Sequence, residues 1–107
     1  MSEFETRAQE ILQSQPFSVL LGTEFGGVED GVVTLELPLK QDHLQQHGFA
    51  HGGVVSYLAD NALTWAGGLA VGDVLTLEMK INFTRPAVGE KLIARGETLS
   101  AGRRQAV

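Results

Sequence analysis

Asp60 stands inside the stretch VVSYLADNALTWAGGLA, where almost every neighbour is apolar. Val54, Val55, Leu58, Ala59, Ala62, Leu63, Trp65, Ala66 and Leu69 go most of the way round a helix, and a helix with such a surface is expected to be buried. Ser56, Asp60 and Thr64 fall at i, i+4 and i+8, so they form one narrow polar stripe on it. An ionised carboxylate in such a setting is costly unless it is paired or faces a wet cleft. Two readings follow: a structural Asp that bonds backbone amides or caps a neighbouring element, or a general acid–base group.

His51-Gly52-Gly53 precedes this helix. Two glycines leave the first free N–H groups bare of side chains, so a ligand oxygen can approach them with the helix dipole in its favour. That arrangement can serve as an oxyanion hole for an acyl group. The alternative is a tight turn or close packing at the helix start. Asp60 lies eight residues beyond Gly52, about 12 Å along the axis at 1.5 Å per residue. A catalytic carboxylate works within about 3 Å of its target, directly or through one water. Asp60 and Gly52 of one chain therefore cannot serve one carbonyl. If both are catalytic, two antiparallel helices must pair and give a symmetric dimer with shared sites.

Other constellations are weaker. His43, His47 and His51 share the i, i+4, i+8 spacing, but Gly48, Gly52 and Gly53 break a continuous helix there and no thiol is present, so no metal is expected. There is no Gly-x-Ser-x-Gly elbow for a serine hydrolase and no glycine-rich phosphate loop.

The positioning elements are legible from periodicity. Residues 2–14 read as a helix capped by Ser2, with Phe4, Ala8, Ile11 and Leu12 at helical spacing. Residues 18–29 read as a strand weakened by Gly22, Gly26 and Gly27, and Asp30-Gly31 signals a hairpin. Val33, Leu35, Leu37 and Leu39 alternate with polar residues, with Pro38 marking a strand end or edge. Residues 41–50 read as a loop and 51–69 as the central helix. Leu75, Leu77, Met79, Ile81 and Phe83 alternate strictly with Thr76, Glu78, Lys80, Asn82 and Thr84, which predicts a strand over 74–85. A further strand is expected over 91–100, and residues 103–107 read as the start of another. The whole, 1–107, is one domain with 43% hydrophobic and 20% charged residues, so disorder is not expected. A net charge of −5 disfavours nucleic acid and anionic membrane as partners. With no cysteine, disulfides and thiol nucleophiles are excluded. No apolar run is long enough to span a membrane and the first residues are charged, so a cytoplasmic location is expected.

Gln45-x5-His51-Gly52-Gly53-x6-Asp60-x3-Thr64, followed by LTLEMKINFTRPAVGE, resembles the hotdog-fold acyl-CoA thioesterases. The nearest branch is the phenylacetic-acid-degradation (PaaI) type with its hydroxybenzoyl-CoA relatives. The resemblance covers roughly residues 15–105. It implies an α+β hotdog fold, an antiparallel sheet wrapped around one long central helix, with dimers joined edge to edge. It further implies hydrolysis of an acyl-CoA thioester to free acid and coenzyme A, by a homodimer or homotetramer and without a separate cofactor. In that family pattern Gly52 polarises the thioester carbonyl and Gln45 orients the thioester or the water. His51 supports the turn, and Asp60 from the opposite subunit is general base or nucleophile. Thr64 assists the water. Gly53, Arg85 and Arg103 are assigned to substrate, the two arginines at the phosphate end of coenzyme A. The rival reading is a hotdog module that binds or senses acyl-CoA without hydrolysis; a hotdog dehydratase lacks the matching Asp/His arrangement. Relatives continue into further strands after a turn like Ser100 to Arg103, whereas this sequence reaches only Val107, so C-terminal strands are expected to be missing or short. Completion by another copy or a longer gene product is the corresponding expectation.

Overall fold

The computed structural model describes residues 2–107. Ser2 caps α1 (Glu3–Gln13) by accepting the Glu5 N–H on its hydroxyl at 3.1 Å, as the sequence predicts. Ala8 and Leu12 are the buried positions of this helix, and Phe4 meets Phe25 edge-on with ring centroids 6.3 Å apart.

The expected strand over 18–29 is only half right. Pro16–Leu21 form a second helix, α2, and β1 (Glu24–Glu29) begins after it. Pro16 occupies the first helical turn, where its missing N–H is harmless. Gly22 adopts φ 89°, its N–H bonds Val19 C=O at 3.2 Å, and the Thr23 N–H bonds Ser18 C=O at 3.0 Å. This paired closure ends a helix. The glycine that reads as a flaw in a strand is a helix stop.

Asp30 and Gly31, both at positive φ (51° and 79°), turn β1 into β2 (Val32–Pro38). On β2, Val33, Leu35 and Leu37 are buried while their neighbours are half-exposed, the alternation the sequence shows. β3 (Lys91–Gly96) pairs antiparallel on the other side of β2, giving the order β1-β2-β3. β3 is shorter than the 91–100 expected. Beyond it, the Thr98 hydroxyl donates to Ala66 C=O at 3.1 Å, so the chain follows the long helix rather than the sheet.

That helix, α3 (Gly52–Val71), lies against the sheet, with Leu58 and Ala62 packed on Leu35 and Leu37. The two come close at Gly96, where an added Cβ would stand 2.5 Å from the Ala62 C=O oxygen. The expectation of burial most of the way round is not met. Leu58, Asn61, Ala62 and Ala66 are buried, whereas Leu63 is 47% and Leu69 is 43% exposed. β2 and β3 cover one face of α3, with Phe25 of β1 reaching Trp65, and the other side of the helix is only partly covered.

The strand expected over 74–85 does not form. A strand needs a neighbour to bond, and here the segment runs back along α3 instead. Val74 lies beside Gly67, Thr76 bonds Asp60, Phe83 lies beside Gly52, and Ala87 C=O accepts the Ala50 N–H at 2.9 Å. Leu75 and Leu77, on the apolar side of that alternation, are 94% and 84% exposed. The last residues also differ from a simple strand start: Ala101 bridges Ala106 and the Val107 N–H bonds Ser100 C=O at 2.7 Å, a small closed hairpin. Among the described residues, no helix is long and apolar enough to cross a membrane.

Candidate active site

The start of α3 is built by its own sequence. His51 is the N-cap, and its Nδ1 accepts the Gly53 N–H at 2.9 Å. The His51 N–H bonds His43 C=O at 2.8 Å, and buried His43 accepts the Lys40 N–H on Nδ1 at 3.0 Å. Two of the three histidines thus hold the loop and the helix start. Gly53 has little room for a side chain, since a Cβ would meet His51 Nδ1 at 3.0 Å. The Val54 and Val55 N–H groups both bond His51 C=O. Gly52 is left as the residue whose N–H has no partner among the described residues, at the positive end of the helix dipole. The Phe83 ring flanks it at ordinary contact distance, 3.7 Å from the site of a Cβ.

Gln45 belongs to the loop that leads into α3, closed by the Leu44–Ala50 bridge. Its Oε1 accepts the His47 N–H at 2.6 Å and the Phe49 N–H at 3.3 Å. The side-chain oxygen is therefore tied to the loop, and the amide nitrogen keeps its donors for a ligand.

Asp60 is half-buried two turns along α3, and its Oδ1 accepts the Thr76 hydroxyl. Thr64, assigned to the water near this carboxylate, donates its hydroxyl to Asn61 C=O at 2.8 Å. Arg85 and Arg103 are exposed, in the crossing segment and the terminal hairpin respectively. The structure thus gathers His51, Gly52, Gly53 and Gln45 at one end of α3 and puts Asp60 and Thr64 farther along it. Gly52 and Asp60 remain eight residues apart on one unbroken helix, about 12 Å along the axis. Among the described residues, no three His, Asp or Glu side chains gather to hold a metal ion.

Two features escape the motif reading. One is Thr76, whose place on the polar side of an alternating segment was the available signal. The other is a buried polar cluster between α2 and α3. Tyr57 donates to Ser18 Oγ at 2.6 Å, Ser18 donates to Gln15 Oε1 at 2.6 Å, and Asn61 Nδ2 reaches Gln15, Ser18 and Tyr57 at 3.2 Å each. This cluster locks α2 onto the helix that carries Asp60.

The thioesterase superfamily profile matches residues 47–107, more than half of the chain. The chain belongs to the thioesterase superfamily. A curated relative from Archaeoglobus fulgidus, named "Putative esterase", is 30% identical over 88 residues, covering 81% of this chain and 57% of that protein. The chain thus spans little more than half the length of that relative. Among solved structures, a thioesterase family protein from Silicibacter pomeroyi is 35% identical with a TM-score of 0.77, covering 88% of this chain and 71% of the other. A variant of the phenylacetic acid degradation protein PaaI from Thermus thermophilus is 30% identical with a TM-score of 0.77, covering 86% and 80%. The fold is the α+β hotdog of these thioesterases, with an antiparallel sheet against one long central helix.

Proposed function

We propose that this protein hydrolyses an acyl-CoA thioester to the free acid and coenzyme A, at sites shared between two copies of the chain. The observation that carries the reading is the pairing of an unpartnered Gly52 N–H at the α3 start with a half-buried Asp60 carboxylate farther along the same helix. Gly52 N–H and the Gln45 amide stabilise negative charge on the thioester oxygen. One Asp60 oxygen takes a proton from a water whose oxygen attacks the carbonyl carbon, or attacks that carbon itself and forms a mixed anhydride that a water then hydrolyses to the free acid and the restored carboxylate; both routes need the charged carboxylate. Collapse of the tetrahedral intermediate breaks the C–S bond and releases the coenzyme A thiolate, which gains a proton. Because about 12 Å separates the two groups within a chain, the carboxylate acts on the carbonyl held by its partner. As part of this reading the enzyme works in the cytoplasm as a homodimer or homotetramer, with Arg85 and Arg103 toward the coenzyme A phosphates.

Coenzyme A release across a panel of acyl-CoA thioesters, followed with a thiol reagent, tests the proposal. Asp60→Asn keeps shape and polarity but loses the charge, so kcat should fall about 10²–10⁴-fold on the best substrate. Thermal unfolding should show a folded variant. Saturable acyl-CoA binding without thiol release by the wild type would point instead to the sensing module.

A further inference from the structure

The Asp60 carboxylate takes a hydrogen bond from outside its own helix, and the donor is Thr76. We propose that Thr76 is a positioning residue for Asp60, orienting the carboxylate for thioester hydrolysis. The proposal deepens the catalytic reading above and rests on it.

An aspartate side chain has a broad χ2 preference, so its two oxygens are poorly oriented unless something holds one of them. The neighbours of Asp60 along the α3 polar stripe are Ser56 and Thr64, one turn away on either side. The Thr64 hydroxyl is engaged with Asn61 C=O at 2.8 Å. The hydroxyl on the carboxylate is that of Thr76, and it binds Oδ1, while Oδ2 has no hydrogen-bond partner among the described residues. Thr76 is exposed, and two features limit its freedom. Its β-branch restricts χ1. Its segment meets α3 on both sides of it, with Val74 against Gly67 before it and Phe83 against Gly52 after it. From Gly67 to Gly52 is about 22 Å of helix. The nine steps from Val74 to Phe83 cover that distance at about 2.5 Å each, against about 3.3 Å for a fully extended strand, so the segment runs largely extended past Asp60.

Four variants decide the matter: Thr76→Val, Thr76→Ser, Asp60→Asn and the Asp60→Asn/Thr76→Val double. Steady-state kinetics use the acyl-CoA that the wild type turns over fastest, and thermal unfolding is followed in parallel. Valine keeps the branched shape and removes the donor, so kcat should drop about tenfold, the scale of one hydrogen bond to a charged group, with KM within about twofold. Serine keeps the donor and should retain at least about half of kcat. In the Asp60→Asn background the valine change should cost nothing further, because the carboxylate it orients is gone. Wild-type kcat in Thr76→Val overturns the proposal. So does an equal loss in valine and serine variants, or a further loss in the double variant. Full turnover by Asp60→Asn is a different failure: it removes the catalytic reading of Asp60, and the role of Thr76 falls with it.

Discussion

Gly52 and Gly53 are adjacent and chemically identical, yet their N–H groups meet different fates. His51 Nδ1 accepts from Gly53 at 2.9 Å, while Gly52 keeps a free donor beside the Phe83 ring. The difference comes from the N-cap geometry, in which the cap side chain reaches forward to the second or third helical N–H and not the first. It also makes a clean test possible. Gly52 is the first residue of α3, and proline is tolerated there because its fixed φ suits a helix start. His51 at φ −60°, ψ 136° already has the extended conformation that a following proline requires. Gly52→Pro should therefore fold with little change in the urea midpoint and lose about 10²–10³ in kcat, the cost of one oxyanion donor. A full-rate Gly52→Pro enzyme would show that this N–H is not the donor.

The elements that present these residues depend on one close crossing. Gly96 at the end of β3 lies so near α3 that a Cβ would approach Ala62 C=O oxygen to 2.5 Å and its carbon to 2.8 Å. Backbone atoms cannot swing aside as a flexible side chain can. Gly96→Ala should force helix and sheet apart and destabilise the fold by about 1–3 kcal/mol. Gly102 in the terminal hairpin has nothing within 4 Å of the same added atom, so Gly102→Ala serves as the control. Chemical denaturation of the two variants beside the wild type measures the contrast, and equal midpoints would refute the crossing as drawn. On the far side of α3, the Tyr57–Ser18–Asn61 cluster ties α2 to the helix, with Phe17 edge-on to Tyr57 at 5.1 Å. α2 itself was hidden from periodicity because a six-residue helix has too few turns to show a repeat. Its ends were visible as Pro16 and Gly22.

The molecule as a whole exposes more surface than a closed monomer of its size. Its accessible area is 7533 Å², about 1,700 Å² above the roughly 5,800 Å² that surface scaling gives for 11.5 kDa. Leu75, Leu77 and Leu99, each more than three-quarters exposed, contribute to it. Exposed leucines of this kind favour association. If each site takes Gly52 from one chain and Asp60 from another, two dead enzymes can restore one live site. An equal mixture of Asp60→Asn and Gly52→Pro chains, after subunit exchange, should recover about a quarter of wild-type turnover, since half of the dimers are mixed and each holds one intact site. Light scattering before and after exchange gives the oligomeric state. No recovery in demonstrably mixed oligomers would place both groups in one chain's site or remove one of them from catalysis.

Much of this protein follows from residues close together in the chain. The Ser2 cap, the Asp30-Gly31 hairpin, the alternation of β2 and the long helix behind His51-Gly52-Gly53 each depend on contacts a few residues apart, and each is legible without coordinates. The Asp60 stripe is legible for the same reason, because helical geometry alone puts positions four apart on one face. What tertiary structure decided is which groups remain free and which are taken. Thr76 and Asp60 are separated by 16 residues and Asn61 and Gln15 by 46, so neither bond has a local signature. The alternation over 74–85 shows the same limit from the other direction. Period-two patterning prepares a segment to pair, but pairing needs a neighbouring strand, and the three-dimensional course of the chain gives this one a helix instead.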